Sequence, residues 1–122
     1  MKVIIAGSRT ITNYNILLDV MKECSFTSEI DTVISGMAVG VDMLGVRWAM
    51  ENDKNLIEMP AKWKENGMFV KNAGYKRNIE MLKIADGLIV IIKDYSRESQ
   101  HMYNEAMKKA MKTDFKVFLK RL

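Results

Sequence analysis

Apolar residues come in short blocks along this chain, and the blocks alternate between two periods. Val3 to Ala6, Thr32 to Ile34, Leu56 to Met59, Leu88 to Ile92 and Lys116 to Leu119 are short and mostly apolar, several with β-branched residues. Such runs read as strands buried on both faces, as in parallel sheets. Between them apolar residues recur at helical spacing. Ile16, Leu17, Val20, Met21 and Cys24 make one stripe, and Val41, Leu44, Gly45, Trp48 and Ala49 a second. Ile79, Leu82 and Ala85 belong to a third, and Met102, Ala106 and Ala110 begin a fourth. Strand alternating with helix predicts right-handed βαβ units on a mostly parallel sheet of about five strands.

Pro60 closes the third strand, and residues 61–76 are the least regular stretch, with Trp63, Phe69 and Tyr75 among two glycines. A loop of that length is expected to be functional or to carry a short helix of its own. In open α/β sheets, ligands bind beyond the carboxyl ends of the strands. The ends here are Gly7-Ser8-Arg9, Ser35-Gly36, Pro60-Ala61 and Lys93 to Ser99, which are expected to share one rim.

Each rim segment has a structural and a functional reading. Gly7 lets the backbone approach a ligand, with the Ser8 hydroxyl and Arg9 guanidinium as anion donors, or the tripeptide is a plain turn. Ser35-Gly36 through Gly40 leads into a helix N-terminus with spare N–H donors. Asp42, in the first turn of that helix, either complements the helix dipole or bonds a ligand hydroxyl. Arg77 and Asn78, read as a helix entry, either grip phosphate or sit solvated. Trp63 either stacks on a base or plugs the core under its loop. Ser96 and Ser99 either cap the last helix or bind phosphate. His101 reads as an exposed residue of that helix's first turn.

Composition narrows the chemistry. The 122 residues are 48% apolar and 28% charged, enough for one domain over residues 1–122 with a real core. Cys24 is the only cysteine and His101 the only histidine, which leaves no cysteine cluster and makes metal or Ser-His-Asp chemistry weak. No metal and no cofactor are expected. No apolar run approaches the roughly 18 residues of a membrane span, and the opening Met1-Lys2-Val3 has no leader pattern. The expected location is cytoplasmic. A net charge of +4 favours anionic partners, although the cations are dispersed. Methionine and aromatic surface leaves a homodimer open.

The order GSR, SGMAVGVDMLGVRWA, PAKW, AGYKRNIEMLKIAD and a Ser-rich turn before His101-Met102 resembles the small YspA-like branch of the SLOG superfamily. That superfamily joins the DNA-processing protein A fold and the LONELY GUY cytokinin-activating enzymes. The resemblance implies a Rossmann-like, three-layer αβα fold that binds a nucleotide or nucleotide-derived ligand at the rim. It carries over Gly7, Ser8, Arg9, Ser35, Gly36, Gly40, Asp42, Arg77, Asn78, Ser96 and Ser99 as ligand-site positions.

Two departures stand out. Relatives have a Ser-x-Gly-Thr turn where this chain has Ser96-Arg97-Glu98-Ser99, so Glu98 takes the glycine's place and is expected to repel phosphate. The slot of the LONELY GUY glutamate falls on Met102, with Glu105 about one turn later. The leading expectation is therefore a binding module for an ADP-ribose-like ligand, acting as sensor or sequestering protein. The alternative is a nucleoside monophosphate phosphoribohydrolase using Glu105, Glu98 or Asp42. Single-stranded DNA binding ranks below both, and no membrane partner is expected.

Overall fold

The computed structural model describes residues 1–122. The chain runs β1 (Lys2–Gly7), α1 (Tyr14–Glu23), β2 (Thr32–Ser35), α2 (Val41–Glu51) and β3 (Asn55–Glu58). A hairpin of β4 (Lys64–Glu65) and β5 (Met68–Phe69) follows, then α3 (Ala73–Ile84), β6 (Gly87–Ile92), α4 (Arg97–Lys112) and β7 (Lys116–Arg121). The main sheet holds five strands in the order β3-β2-β1-β6-β7, all parallel, as expected.

Strand alternation splits the core into two layers. Val3, Ile5, Val33, Ile89 and Ile91 pack with Leu17 and Val20 of α1 and Leu44 and Trp48 of α2. Ile4, Ile34, Leu88 and Val90 point the other way, onto Met81 and Leu82 of α3 and Met102 and Ala106 of α4. Because neither face of β1 or β6 meets water, both strands read as continuous apolar runs rather than as alternation. β3 is an edge strand and only half buried.

The chain winds outward from β1 through β2 to β3, then crosses back to β6 on the other side of β1. The C-terminal ends of β1 and β6 thus form the switch point, where a crevice opens between loops that diverge.

Element boundaries depart from the sequence pattern mainly around residues 61–76. That stretch carries the β4–β5 hairpin rather than a short helix, and α3 begins within it at Ala73. Gly74 through Asn78 therefore lie inside α3, not before it. The buried face of this helix begins with Ala73, Gly74 and Asn78, which give no apolar period to detect. At the first helix the Asn13 side chain caps the start, accepting from Asn15 N–H at 2.9 Å, and Cys24 falls just past the end. No helix is long and apolar enough to cross a membrane.

Candidate functional site at the switch point

The loop after β1 is tied to the end of β6 by one hydroxyl. Ser8 Oγ donates to the Lys93 carbonyl at 3.1 Å and accepts from the Lys93 N–H at 2.8 Å. Ser8 is buried, and its own N–H donates to Ile91 O at 3.0 Å. Both bonding directions of the hydroxyl are thus taken up by the backbone that holds the crevice walls together.

The second loop is held by internal bonds as well. Ser35 Oγ accepts from Met37 N–H at 3.1 Å and donates to the Asp42 carbonyl at 3.2 Å. Gly40 has φ +87°, and a β-carbon there would sit 2.5 Å from Arg9 Cα, so only glycine lets α2 begin against the first loop. These bonds aim the Asp42 carboxylate into the crevice. It accepts from Ala38 N–H at 3.3 Å and from the Gly7 N–H. Burial pushes its pKa up from 3.8 to about 6, although Arg77, the two amides and Arg9 pull the other way.

Arg77 is not a solvated cap: its side chain is only 9% exposed. Its Nη1 donates to Gly36 O at 2.8 Å and its Nε to Asn78 Oδ1 at 3.2 Å. Asn78, also buried, passes the connection on by donating Nδ2 to the Glu98 carbonyl at 3.0 Å. One hydrogen-bonded chain therefore runs from the β2 loop through α3 to the start of α4. His101 is part of this region, with its ring stacked on Tyr75 at 4.5 Å and Nδ1 3.3 Å from Asn78 Nδ2.

At the start of α4, Ser96 makes no side-chain cap and instead donates to Ser99 Oγ at 2.9 Å. The first backbone bond of the helix is Gln100 N–H to Ser96 O, which leaves the N–H groups of Arg97, Glu98 and Ser99 without intrahelical partners. Glu98 Oε2 lies 3.4 Å from Arg9 Nη2 and 3.7 Å from Arg77 Nη2. The carboxylate expected to repel phosphate thus stands where two guanidinium groups converge.

Together these walls enclose a cleft of about 320 Å³. Gly7, Ser8, Arg9, Asp42, Arg77, Asn78, Ser96 and Ser99 line it, and so does Glu98. Four cations, Arg9, Arg77, Lys93 and Arg97, face three carboxylates, Asp42, Asp94 and Glu98. Lys93, Asp94 and Arg97 also line the cleft; no motif marks them in the sequence, although the strand-end rule covers their segment. Ser35, Gly36 and Gly40 lie behind the wall and support it. A second hollow, of about 480 Å³, lies between the end of β3, the hairpin and α3, and shares Arg77 with the cleft.

Two candidates sit elsewhere. Trp63 stacks on Phe69 across the hairpin, ring centroids 6.0 Å apart, and does not line the cleft. Glu105 pairs with Lys108 at 3.1 Å and lies 4.0 Å from His101 Nε2, also outside the cleft. Met102, at the glutamate slot, is buried and contributes an apolar patch of lining.

Comparison with known proteins places this geometry in context. The profile of the YspA, cpYpsA-related SLOG family (YAcAr) matches residues 1–65. Among solved structures, the X-ray structure of DNA processing protein A (DprA) from Streptococcus pneumoniae is similar, with a TM-score of 0.69 and 18% sequence identity. The match covers 97% of this chain and 49% of that one, so this chain spans about half the length of its structural neighbour. At that identity the likeness concerns the Rossmann-like fold alone. No curated protein sequence matches the chain.

Proposed function

Since the chain belongs to the YspA, cpYpsA-related SLOG family, we propose that the cleft at the β1–β6 switch point binds a nucleotide-derived ligand through its phosphate groups. The observation that carries this reading is the convergence of Arg9 and Arg77, remote in the chain, on one oxygen of Glu98. Two guanidinium groups aimed at one point make a seat for an oxyanion. The unpaired N–H groups at the start of α4 add donors of the same sign. A cleft of about 320 Å³ is at the small end of ligand sites and suits one nucleotide-sized group. A pyrophosphate-bearing ligand of the ADP-ribose type reaches both arginines at once. A DNA strand is less well served, because carboxylates interrupt the cations and the Trp63–Phe69 stack lies off the cleft.

The role is binding, as a sensor or sequestering module. Of the carboxylates a phosphoribohydrolase would use, Glu105 lies outside the cleft and Glu98 is held between two cations. One observation favours the hydrolase as a second reading: Asp42 lines the cleft with its pKa raised to about 6, the range of a general acid or base.

Thermal unfolding with AMP, ADP, ADP-ribose and adenosine tests the binding reading. At a hundredfold excess over Kd, a true ligand adds about 2.7 kcal/mol of stability. The phosphate-bearing ligands are expected to raise Tm, and Arg9→Ala, at a half-exposed side chain, to abolish the rise without unfolding the protein. No rise with any of the four overturns the reading. Free base accumulating from AMP, and absent in Asp42→Asn, establishes the hydrolase instead.

A further inference from the structure

We propose that Glu98 is an internal counter-anion that an anionic ligand must displace: it sets a charge threshold, which a ligand carrying two negative charges close together clears and a ligand carrying a single charge does not. The proposal rests on the reading of the cleft as a phosphate site and names the ligand class that site accepts.

Three observations on separate elements bear on it. First, one oxygen, Oε2, faces both Arg9 Nη2 at 3.4 Å and Arg77 Nη2 at 3.7 Å. A carboxylate shared in this way takes the position an oxyanion would take. Second, α3 leaves room for it. A β-carbon at Gly74 would lie 2.7 Å from Glu98 Cδ and Oε1, so a bare glycine in the facing helix admits the carboxylate. Third, the Glu98 backbone is anchored, its carbonyl accepting from Asn78 Nδ2 at 3.0 Å, whereas its side chain remains 30% exposed. The anchored backbone keeps the side chain in place, and the exposure gives it a path outward. Its two ion pairs are long, and partly exposed pairs are weak. They can be exchanged for better ones.

The exchange sets the selectivity. Displacing Glu98 removes one negative charge from between the arginines. A single phosphodiester returns one charge and gains little. A terminal phosphomonoester carries about −1.5 to −2 at neutral pH and gains on the exchange. A pyrophosphate carries at least two negative charges, spread over two groups, and can meet both guanidiniums. An uncharged nucleoside cannot displace Glu98 at all. The class selected is therefore phosphomonoesters and pyrophosphates, not isolated diesters such as those of a nucleic-acid strand.

Titration calorimetry on the full chain tests this with adenosine, cyclic AMP, AMP and inorganic pyrophosphate. The wild type is expected to bind AMP and pyrophosphate more tightly than cyclic AMP. Glu98→Gln keeps the shape and removes the charge, and is expected to tighten all three anions by about two- to fivefold, the scale of one partly exposed charge pair, with adenosine unchanged. Gly74→Ala is the second variant. Its methyl group pushes the carboxylate off its position while leaving the charge in the protein, and it is expected to shift anion affinity in the same direction. Anion affinity equal to or below wild type in Glu98→Gln overturns the proposal. Pyrophosphate tightening without binding of AMP would leave the exchange standing and overturn the nucleotide reading. Failure of a folded Glu98→Gln protein to bind any anion overturns both.

Discussion

Asp42 and Arg77 face each other across Gly36, and the missing side chain makes the approach possible. A β-carbon on residue 36 would fall 2.8 Å from Asp42 Oδ2 and 2.7 Å from Arg77 Cζ. The same glycine accepts from Arg77 Nη1 through its carbonyl. Gly36→Ala is therefore expected to expel the guanidinium. Stability should fall by about 1–3 kcal/mol, the scale of an overpacked buried contact with a lost hydrogen bond. Urea unfolding midpoints measure the loss, and the AMP-induced rise in Tm should shrink in parallel. An unchanged midpoint would show that the loop relaxes around the methyl group.

The Asp42 carboxyl gives a pH dependence opposite to that of an ion-paired acid. Its pKa rises from 3.8 to about 6 on folding, chiefly through burial. The folded protein thus holds this proton more tightly than the unfolded chain does. Ionisation costs stability: the cost is absent below about pH 4, grows through pH 6 and reaches roughly 3 kcal/mol above it. Asn in this position keeps an acceptor oxygen for the Ala38 and Gly7 amides but does not titrate. Wild-type stability relative to Asp42→Asn is expected to fall as pH rises from 4 to 7. Urea titrations of both proteins at several pH values check this, and a constant difference would contradict it.

Ser8→Ala removes both bonds to Lys93 and leaves the part-buried Lys93 N–H without its acceptor. A loss of about 1–3 kcal/mol is expected. The local signature is faster hydrogen exchange at the Lys93 amide, since the clasp between the first loop and the end of β6 opens. Unchanged exchange there would show that the clasp contributes nothing to holding the crevice.

Trp63→Ala and Glu105→Gln serve as the opposite kind of test. Neither residue lines the cleft, so AMP affinity is expected to stay within about twofold of wild type, as for independent sites. A large loss in the tryptophan variant, measured by calorimetry, would mean that the hairpin folds over the ligand.

The meeting of the segments that line the candidate site is legible in the sequence. Val3 to Ala6 and Leu88 to Ile92 announce buried strands, and the strand-end rule then points to Gly7-Ser8-Arg9 and Lys93 to Ser99, which do meet. The roles within the site were less readable. Ser8 looks like a phosphate donor in sequence, and the family resemblance makes Ser35 a ligand-site position, yet both hydroxyls serve the backbone. Glu105 is a candidate in sequence because it follows Met102, the glutamate slot of the resembled enzymes, by about one helical turn and so faces nearly the same side. It lies seven residues beyond Glu98, which lines the cleft, and at about 1.5 Å per residue that is roughly 10 Å further along α4. Trp63 could not be placed because nothing in its spacing announced the hairpin that turns it onto Phe69.

The sequence by itself determined the succession of strands and helices, the parallel sheet and which strand ends share one rim. Those follow from local periodicity and from burial of both sheet faces, which every short window of the chain records. Only the tertiary structure decided which charges face each other: Glu98 between Arg9 and Arg77, and Asp42 buried beside them with its pKa raised. Pairing and desolvation depend on distances between residues remote in the chain, and those distances exist only once the helices have packed.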